Sequence, residues 1–592
     1  MEAKRWLRAV LFTIIVVGLF ANLFIKDSNE AQHTHAGEHE ELSDQQHVHI
    51  STTFSWLKNI VLNLALGDWQ SNNIPSSEQP EKPHIVTFTP NLSTCHKSFA
   101  KPGFQVYCCP PKPESEESFI DFKIPDLSSP RRIRRRAHLA DKDYIAKYNK
   151  ALTIMKSLPY EDPRSFRRQA DMHCIYCTGA YNQQYSNASF SIHRQWLFFP
   201  WHRMMIYFHE RILGSLIGDD TFALPFWQWD APEGMVTPAM YMDGAFTDTE
   251  REETHVHIPR IADINYDYND TEIEPEQRIK KNLAFMYHQM VSGAKKVELF
   301  MGCQSKPGKD GVCDGPGTIE LAPHNALHTW VGKALNRYRE NMGVFYAAAR
   351  DPIFYAHHSN IDRMWEYWKE LRGYEPEIVD PVWLNSHFFF HNENSQLVRV
   401  RIGDILNITK LGYGYEKVDY PWLNARPKPS IDPKIARCTL NTRNNGILGA
   451  HLNDFRPEGR TLDTNIEVKV HRPKRQRRSE EEEEVLVVYG IDVKIDMFVK
   501  FDVYINAIDA TSIGPESREF AGTYVNVPRG ITIEMNEGDE KMKKKSNLKM
   551  GISELLQDLE ANEDDSIWVT LVPRSGTGVN TTVDGIRIEY MD

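Results

Sequence analysis

Six histidines in two groups of three carry the clearest chemistry in this chain. The later group lies between Glu320 and Trp365, a stretch that opens E-L-A-P-H-N-A-L-H-T-W and closes D-P-I-F-Y-A-H-H-S-N-I-D-R-M-W. His324 and His328 stand at i and i+4, on one helical face and close enough to hold a single metal ion. His358 and Asp362 repeat that spacing, so the carboxylate is expected to receive the free N–H of a metal-bound His358 and fix its tautomer. His357 adjoins His358, but the Asp-Pro-x-Phe register and the Asp362 partner favour His358 as the ligand. The earlier group comprises His173 in D-M-H-C-I-Y-C-T-G-A-Y, His193 in I-H-R-Q-W-L-F-F-P-W, and His202 just before the apolar-rich run Met204 to Leu213. Three imidazoles with no acidic ligand suit copper, zinc, iron or nickel. Two such groups favour copper, because zinc and iron pairs that bridge hydroxide recruit carboxylates, whereas a neutral all-imidazole shell fits a copper couple cycling with dioxygen. Any one histidine among aromatics is ordinarily a packed, hydrogen-bonded side chain. The metal reading rests on all six together.

With these residues in place the chain resembles the plant polyphenol oxidases, the tyrosinase and catechol oxidase family of coupled binuclear copper enzymes. The resemblance implies two copper ions, one held by His173, His193 and His202 and the other by His324, His328 and His358. It extends to Cys177, where the family links a cysteine to the second histidine, here His193, through a thioether. Phe345, thirteen residues before His358, matches a gate phenylalanine over the second copper, and Glu320 and Asn325 match a glutamate and asparagine that hold a water. Tyr413-Gly414-Tyr415, the segment Asp419 to Leu423 and Lys500-Phe501-Asp502-Val503 match further family motifs, so the likeness spans roughly residues 90 to 592.

Two sets of three imidazoles must be projected inward from facing sides, which the helices of a four-helix bundle can do. The expected fold is therefore a mainly α catalytic domain, a four-helix bundle holding a dicopper site, followed by a C-terminal β-sandwich domain. Helical spacing runs from Ala137 to Lys156, and residues 245 to 275 read as an acidic, turn-rich surface loop. From Asn465 the period becomes two, in V-L-V-V-Y-G-I-D-V-K-I-D-M-F-V-K-F-D-V-Y-I, I-W-V-T-L-V and I-R-I-E-Y. The domain reading is residues 1–28 signal peptide or anchor, 29–89 polar histidine-containing segment, 90–423 catalytic domain, 424–464 protease-exposed linker, and 465–592 β-sandwich. Arg472 to Glu484, a basic block against an acidic one, reads as an exposed hairpin tip.

A net charge of −12 and the lack of any basic patch interleaved with aromatics exclude nucleic acid as a partner. The N-terminus, M-E-A-K-R-W-L-R before an apolar run from Ala9 to Ile25, reads as a secretory signal or anchor, the one route to a membrane. Sequons at Asn91, Asn187, Asn269, Asn407 and Asn580 agree with it, and a vacuolar or extracellular destination is expected rather than the plastid. Residues 26 to 85 crowd His33, His35, His39, His47 and His49 into a solvated linker that contains the amphipathic stretch Phe54 to Trp69. Adjacent Cys108 and Cys109 would be strained if paired together, so each needs a distant partner. The family pattern implies Cys95 with Cys109 and Cys108 with Cys174. With Cys177 in the thioether, Cys303 and Cys313 bracket a short loop as a candidate pair, leaving Cys438 unmatched.

The resemblance implies small phenolic substrates and O2. Diphenols would give o-quinones and monophenols would first be hydroxylated ortho to the OH, with Glu320 and Asn325 polarising a water that takes the phenolic proton. Phe345 with Trp196, Phe198 and Phe199 would wall the substrate ring. The family's C-terminal domain covers the copper site and keeps the enzyme latent until proteolysis or detergent displaces it. Alternatives are a specialised biosynthetic oxidase acting on chalcones or lignans and, on the same copper chemistry, a dioxygen carrier.

Overall fold

The computed structural model describes residues 86–592 apart from 102–103, 113–117, 127–129, 257–259, 305, 309–314, 337–338, 374–379, 444–458, 475–481, 495–496 and 529–542. The signal-like run, the histidine-containing segment as far as residue 85, Cys313 and most of the Arg472 to Glu484 block lie outside the described residues. The chain separates into Met1–Pro83 and His84–Asp592, and every described element belongs to the second unit. Among the described residues no helix is long and apolar enough to cross a membrane.

The catalytic part is built on α1 (Lys142–Ser157), α2 (Phe166–Thr178), α3 (Phe198–Ile217), α4 (Pro275–Tyr287), α5 (Asn325–Val331) and α6 (Ile353–Leu371). The helix expected from Ala137 begins later, because Asp141 caps α1 by accepting from the Tyr144 N–H and leaves Ala137–Leu139 as a separate 3-10 turn. Ser165 caps α2 in the same way through Arg168, and Gly179 ends it in the left-handed conformation at φ 70. α3 and α6 are buried along almost their whole length, since they pack on each other and on the aromatic core at once. Residues 245 to 275 form a turn-rich segment with one short helix, Glu253–Val256.

The C-terminal part is a two-sheet β-sandwich. Its strands are β1 (Arg460–Thr461), β2 (Ile466–His471), β3 (Glu483–Lys494), β4 (Val499–Ile505), β5 (Phe520–Asn526), β6 (Lys543–Gly551), β7 (Ser566–Pro573), β8 (Thr582–Val583) and β9 (Gly585–Met591). One sheet has the order β2-β7-β4-β5, and the other β1-β8-β3-β6 with β9 also on β3. β2 alternates buried and half-buried residues, as a sheet with one wet face should, but β4 and β5 are buried at every position. One face of β4, with Val499, Phe501, Val503 and Ile505, fills the sandwich core, whereas Tyr504, Phe520 and Val525 join the catalytic core. Helical core followed by β-sandwich is the expected architecture.

The segment after residue 424 differs from the featureless linker expected. It contains α7 (Pro433–Arg443), and ahead of that helix Arg426 pairs with Asp558 at 2.6 Å while the Ser430 hydroxyl donates to Glu519 at 2.6 Å. These contacts to the sandwich offset the helix-unfriendly prolines that made the stretch read as loop.

Candidate metal centre

Four of the six histidines are on bundle helices: His173 on α2, His202 on α3, His328 on α5 and His358 on α6. His324 ends a π-helical turn, Glu320–His324, that leads into α5. His193 departs from the helical expectation, because it sits in an irregular stretch before α3 and is followed by Arg194 at φ 67. All six are buried. His173, Cys177, His193 and His202 each offer a ligand atom within 4.8 Å of the others, and so do His324, His328, His357 and His358. The groups face each other: His202 stacks on His358 with ring centroids 4.3 Å apart, and His193 lies 5.8 Å from His324.

The hydrogen bonds show which ring nitrogens face inward. His173 Nδ1 pairs with the Phe345 carbonyl at 2.9 Å, His202 Nδ1 with the Phe198 carbonyl at 2.8 Å, and His328 Nδ1 with the Met342 carbonyl at 2.9 Å. His193 Nδ1 pairs with Glu320 Oε1 and His324 Nδ1 with Asn325 Oδ1, both at 2.9 Å. An Nδ1 proton held this way leaves the Nε2 lone pair for a cation. Among the described residues Nε2 of His173, His202 and His358 has no hydrogen-bond partner despite burial, and His328 Nε2 lies 3.1 Å from His324 Nε2. Buried polar atoms are rarely left so, and a pair of cations would satisfy them. Burial first, then the neighbouring imidazoles, hold His173, His202, His324, His357 and His358 well below the usual histidine range, and burial brings His328 down to about 3. These six imidazoles are therefore neutral at physiological pH, the form that binds a metal.

Asp362 does not hold His358. Its Oδ1 accepts from Arg203 Nε at 2.6 Å, and its Oδ2 accepts from the hydroxyls of Tyr413 and Tyr415, each at 2.6 Å, with Arg134 at 3.4 Å. Burial pushes the Asp362 carboxyl up, but Arg203, Arg134 and the two tyrosines outweigh it and hold it below the carboxylate range. Two guanidiniums and two phenols compete for this carboxylate more strongly than a neutral imidazole. His358 Nδ1 is consequently left without a hydrogen-bond partner among the described residues. The tyrosine motif, paired in parallel with Arg132–Arg134, is thus a clamp beneath α3 and α6.

Glu320 and Asn325 lie together at the centre, each engaged with an imidazole, and Glu320 Oε1 also accepts from the Arg194 N–H at 2.7 Å. The Phe345 ring stacks on His193 at 4.2 Å and 10°, and is 6.0 Å from His328 and 6.3 Å from His324. Phe198 lies 4.8 Å from His324, Phe199 stacks on Phe300, and Trp196 donates to the Gly302 carbonyl. His357 stacks on His324 at 5.5 Å and packs against Trp229. Cys95 is joined to Cys109 and Cys108 to Cys174, the latter bond tying the N-terminal arm to α2. Cys303 is also disulfide-bonded, Cys177 is buried outside the disulfides, and Cys438 is exposed on α7.

The sandwich closes over this centre. Asn325 Nδ2 donates to the Val525 carbonyl at 3.1 Å, the Phe345 N–H to the Pro528 carbonyl at 3.3 Å, and Arg194 Nη2 to the Tyr524 hydroxyl. Each of these partners is next to, or hydrogen-bonded to, one of the six histidines. Arg194 and the carbonyl acceptors carry no spacing signal in the sequence, which is why motif reading passes over them.

Three family models match consecutive parts of the chain: the common central domain of tyrosinase over residues 163–371, the polyphenol oxidase middle domain over 377–428, and the chloroplastic polyphenol oxidase C-terminal domain over 458–590. Aureusidin synthase of Antirrhinum majus is 44% identical over 513 residues, covering 84% of this chain and 88% of that protein. The polyphenol oxidase of Malus domestica is 43% identical over 516 residues, covering 85% and 84%. The chain belongs to the plant polyphenol oxidases. It is a copper oxidoreductase acting on phenols, and the two copper ions of this family fit its two imidazole groups. The structure of latent apple tyrosinase matches with a TM-score of 0.72 and 42% identity, over 80% of this polyphenol oxidase and 100% of that chain.

The vacuolar or extracellular expectation is corrected by the same relatives. Polyphenol oxidases of Malus domestica, Ipomoea batatas, Prunus armeniaca and Vitis vinifera are named chloroplastic, as is the C-terminal family model, and this points to the plastid. A basic start before an apolar run follows the secretory pattern, and that local shape is outweighed by the relatives' naming.

Proposed function

We propose that this polyphenol oxidase converts catechols to o-quinones with O2, with His173, His193 and His202 holding one copper ion and His324, His328 and His358 the other. The observation that carries the assignment is the convergence of six buried imidazoles, five with Nδ1 held by a defined acceptor. When bound, the copper pair supplies the two-electron redox chemistry with dioxygen. The protein supplies position and dryness. The Phe345 ring offers a flat apolar face for a substrate ring, with Phe198 behind the imidazoles, so that a catechol is held edge-on to the centre. For a monophenol, Glu320 with Asn325 polarises a water that accepts the hydroxyl proton. Cys177 is joined to His193 by a thioether, for which its place in the same 4.8 Å group provides the proximity. Domains divide as catalytic, linker and shielding sandwich near residues 423 and 465. While β5 and the residues just after it lie over Asn325 and Phe345, bulky phenols are excluded, and displacing the sandwich opens the site.

The test is oxygen uptake by the copper-loaded chain with 4-methylcatechol and, separately, with tyramine, before and after detergent. Uptake with catechol only after detergent is the expected result, and full uptake beforehand contradicts latency. The relatives named aureusidin synthase and (+)-larreatricin hydroxylase favour a second reading, a specialised biosynthetic oxidase. A chalcone or lignan turned over far faster than simple catechols would establish it.

A further inference from the structure

Arg194 adjoins His193, yet its guanidinium has no part in holding the imidazoles. The backbone at φ 67 is an unusual conformation for a residue with a side chain, and the bond from its N–H to Glu320 fixes it there. The half-buried side chain then reaches the sandwich, where Nη2 donates to the Tyr524 hydroxyl on β5 and to the Ser546 hydroxyl on β6 at 3.0 Å. The guanidinium also lies 5.6 Å from the Tyr524 ring centroid. All three contacts are to neutral groups, and among the described residues no carboxylate forms an ion pair with it. Glu320, the nearest acid in its bonding, is reached through the backbone N–H and is shared with His193.

Both side-chain acceptors belong to the domain whose displacement opens the site. When it leaves, an arginine without a counter-ion remains at the rim, one residue from the imidazole on which Phe345 stacks. We infer that Arg194 is a specificity-determining residue, pairing with the carboxylate of catechols that carry one on a short side chain while their ring lies against Phe345. A guanidinium suits a carboxylate because two parallel N–H groups meet its two oxygens. A net charge of −12 disfavours anionic substrates elsewhere, so one local cation has a large relative effect. In the latent form the Tyr524 phenol and the Ser546 hydroxyl occupy the guanidinium, so the domain that closes the site also withholds this cation.

The inference rests on the catechol oxidase reading, and the test separates the two. Full-length copper-loaded wild type, Arg194→Gln and Arg194→Lys, all opened by the same detergent treatment, are compared on dihydrocaffeate and 4-methylcatechol at low salt. The ratio of kcat/KM for the acid over that for the neutral catechol should fall about three- to tenfold in Arg194→Gln, through KM rather than kcat. It should recover in Arg194→Lys and, in wild type, shrink as salt is raised. An unchanged ratio in Arg194→Gln overturns the inference, and so does a ratio that Arg194→Lys fails to recover, which would assign the effect to packing. Wild type that consumes no oxygen with either catechol instead refutes the functional reading, and the inference falls with it.

Discussion

Replacing Glu320 by glutamine isolates the charge on a carboxylate that contacts a candidate copper ligand, His193. Its Oε1 accepts from His193 Nδ1 at 2.9 Å and from the Arg194 N–H at 2.7 Å, in a site that is 2% exposed. A hydrogen bond to a charged group contributes roughly 1.5–3 kcal/mol and a neutral one about 1 kcal/mol. Glutamine keeps the shape and one acceptor oxygen, so the hold on His193 weakens by about 1–2 kcal/mol, which is about tenfold in the affinity of the copper site that contains it. The assay is competition for copper by a chelator, following release from wild type and Glu320→Gln. Release should become biphasic, with one copper ion leaving about tenfold more readily than the other. Unchanged release, or equal weakening of both ions, would refute the idea that Glu320 orients His193.

Three further outcomes follow from the same geometry. Asp362→Asn removes the anion that Arg203 and Arg134 share, leaving them Glu366 and Glu210, and should cost about 1.5–3 kcal/mol in denaturant unfolding, and a loss below about 1 kcal/mol would remove Asp362 from the clamp role. Burial pushes the Asp502 carboxyl up, but Lys500 and Arg574 outweigh it and bring it down from the ordinary 3.8 to about 2. Because the folded value is the lower one, Asp502 contributes ~2 kcal/mol of stability above about pH 4 that is lost as pH falls through about 2, and Asp502→Asn should flatten this part of the stability profile. Mass spectrometry after full reduction should find the Cys177 and His193 peptides still joined, lighter than their sum by the hydrogens lost, and separate peptides would remove the thioether.

Much of this was legible in the residues. The two histidine groups, the change of period near Asn465 and the aromatic surroundings all follow from local spacing, which sequence records directly. What the sequence did not carry was competition and distance. Asp362 stands four residues from His358, but its partner is decided by Arg203, Tyr413 and Tyr415, which only the fold brings together. Nothing in the spacing around Glu320 announces its contact with His193, which crosses 127 positions. The segment after residue 424 looked loose because its order comes from Asp558 and Glu519 on the sandwich. A bundle that projects all six imidazoles from helices does not describe His193, because it lies in an irregular stretch with Arg194 left-handed at φ 67.

The most direct test of the central claim is the rate of oxygen uptake with 4-methylcatechol, measured on the detergent-opened chain as copper is titrated in. Two three-imidazole groups working as one centre predict a rate that follows the fraction of chains holding both ions, curving upward as copper is added and reaching its full value only at two copper ions per chain. Full uptake with a single copper ion per chain, or none with two bound, would contradict the binuclear centre.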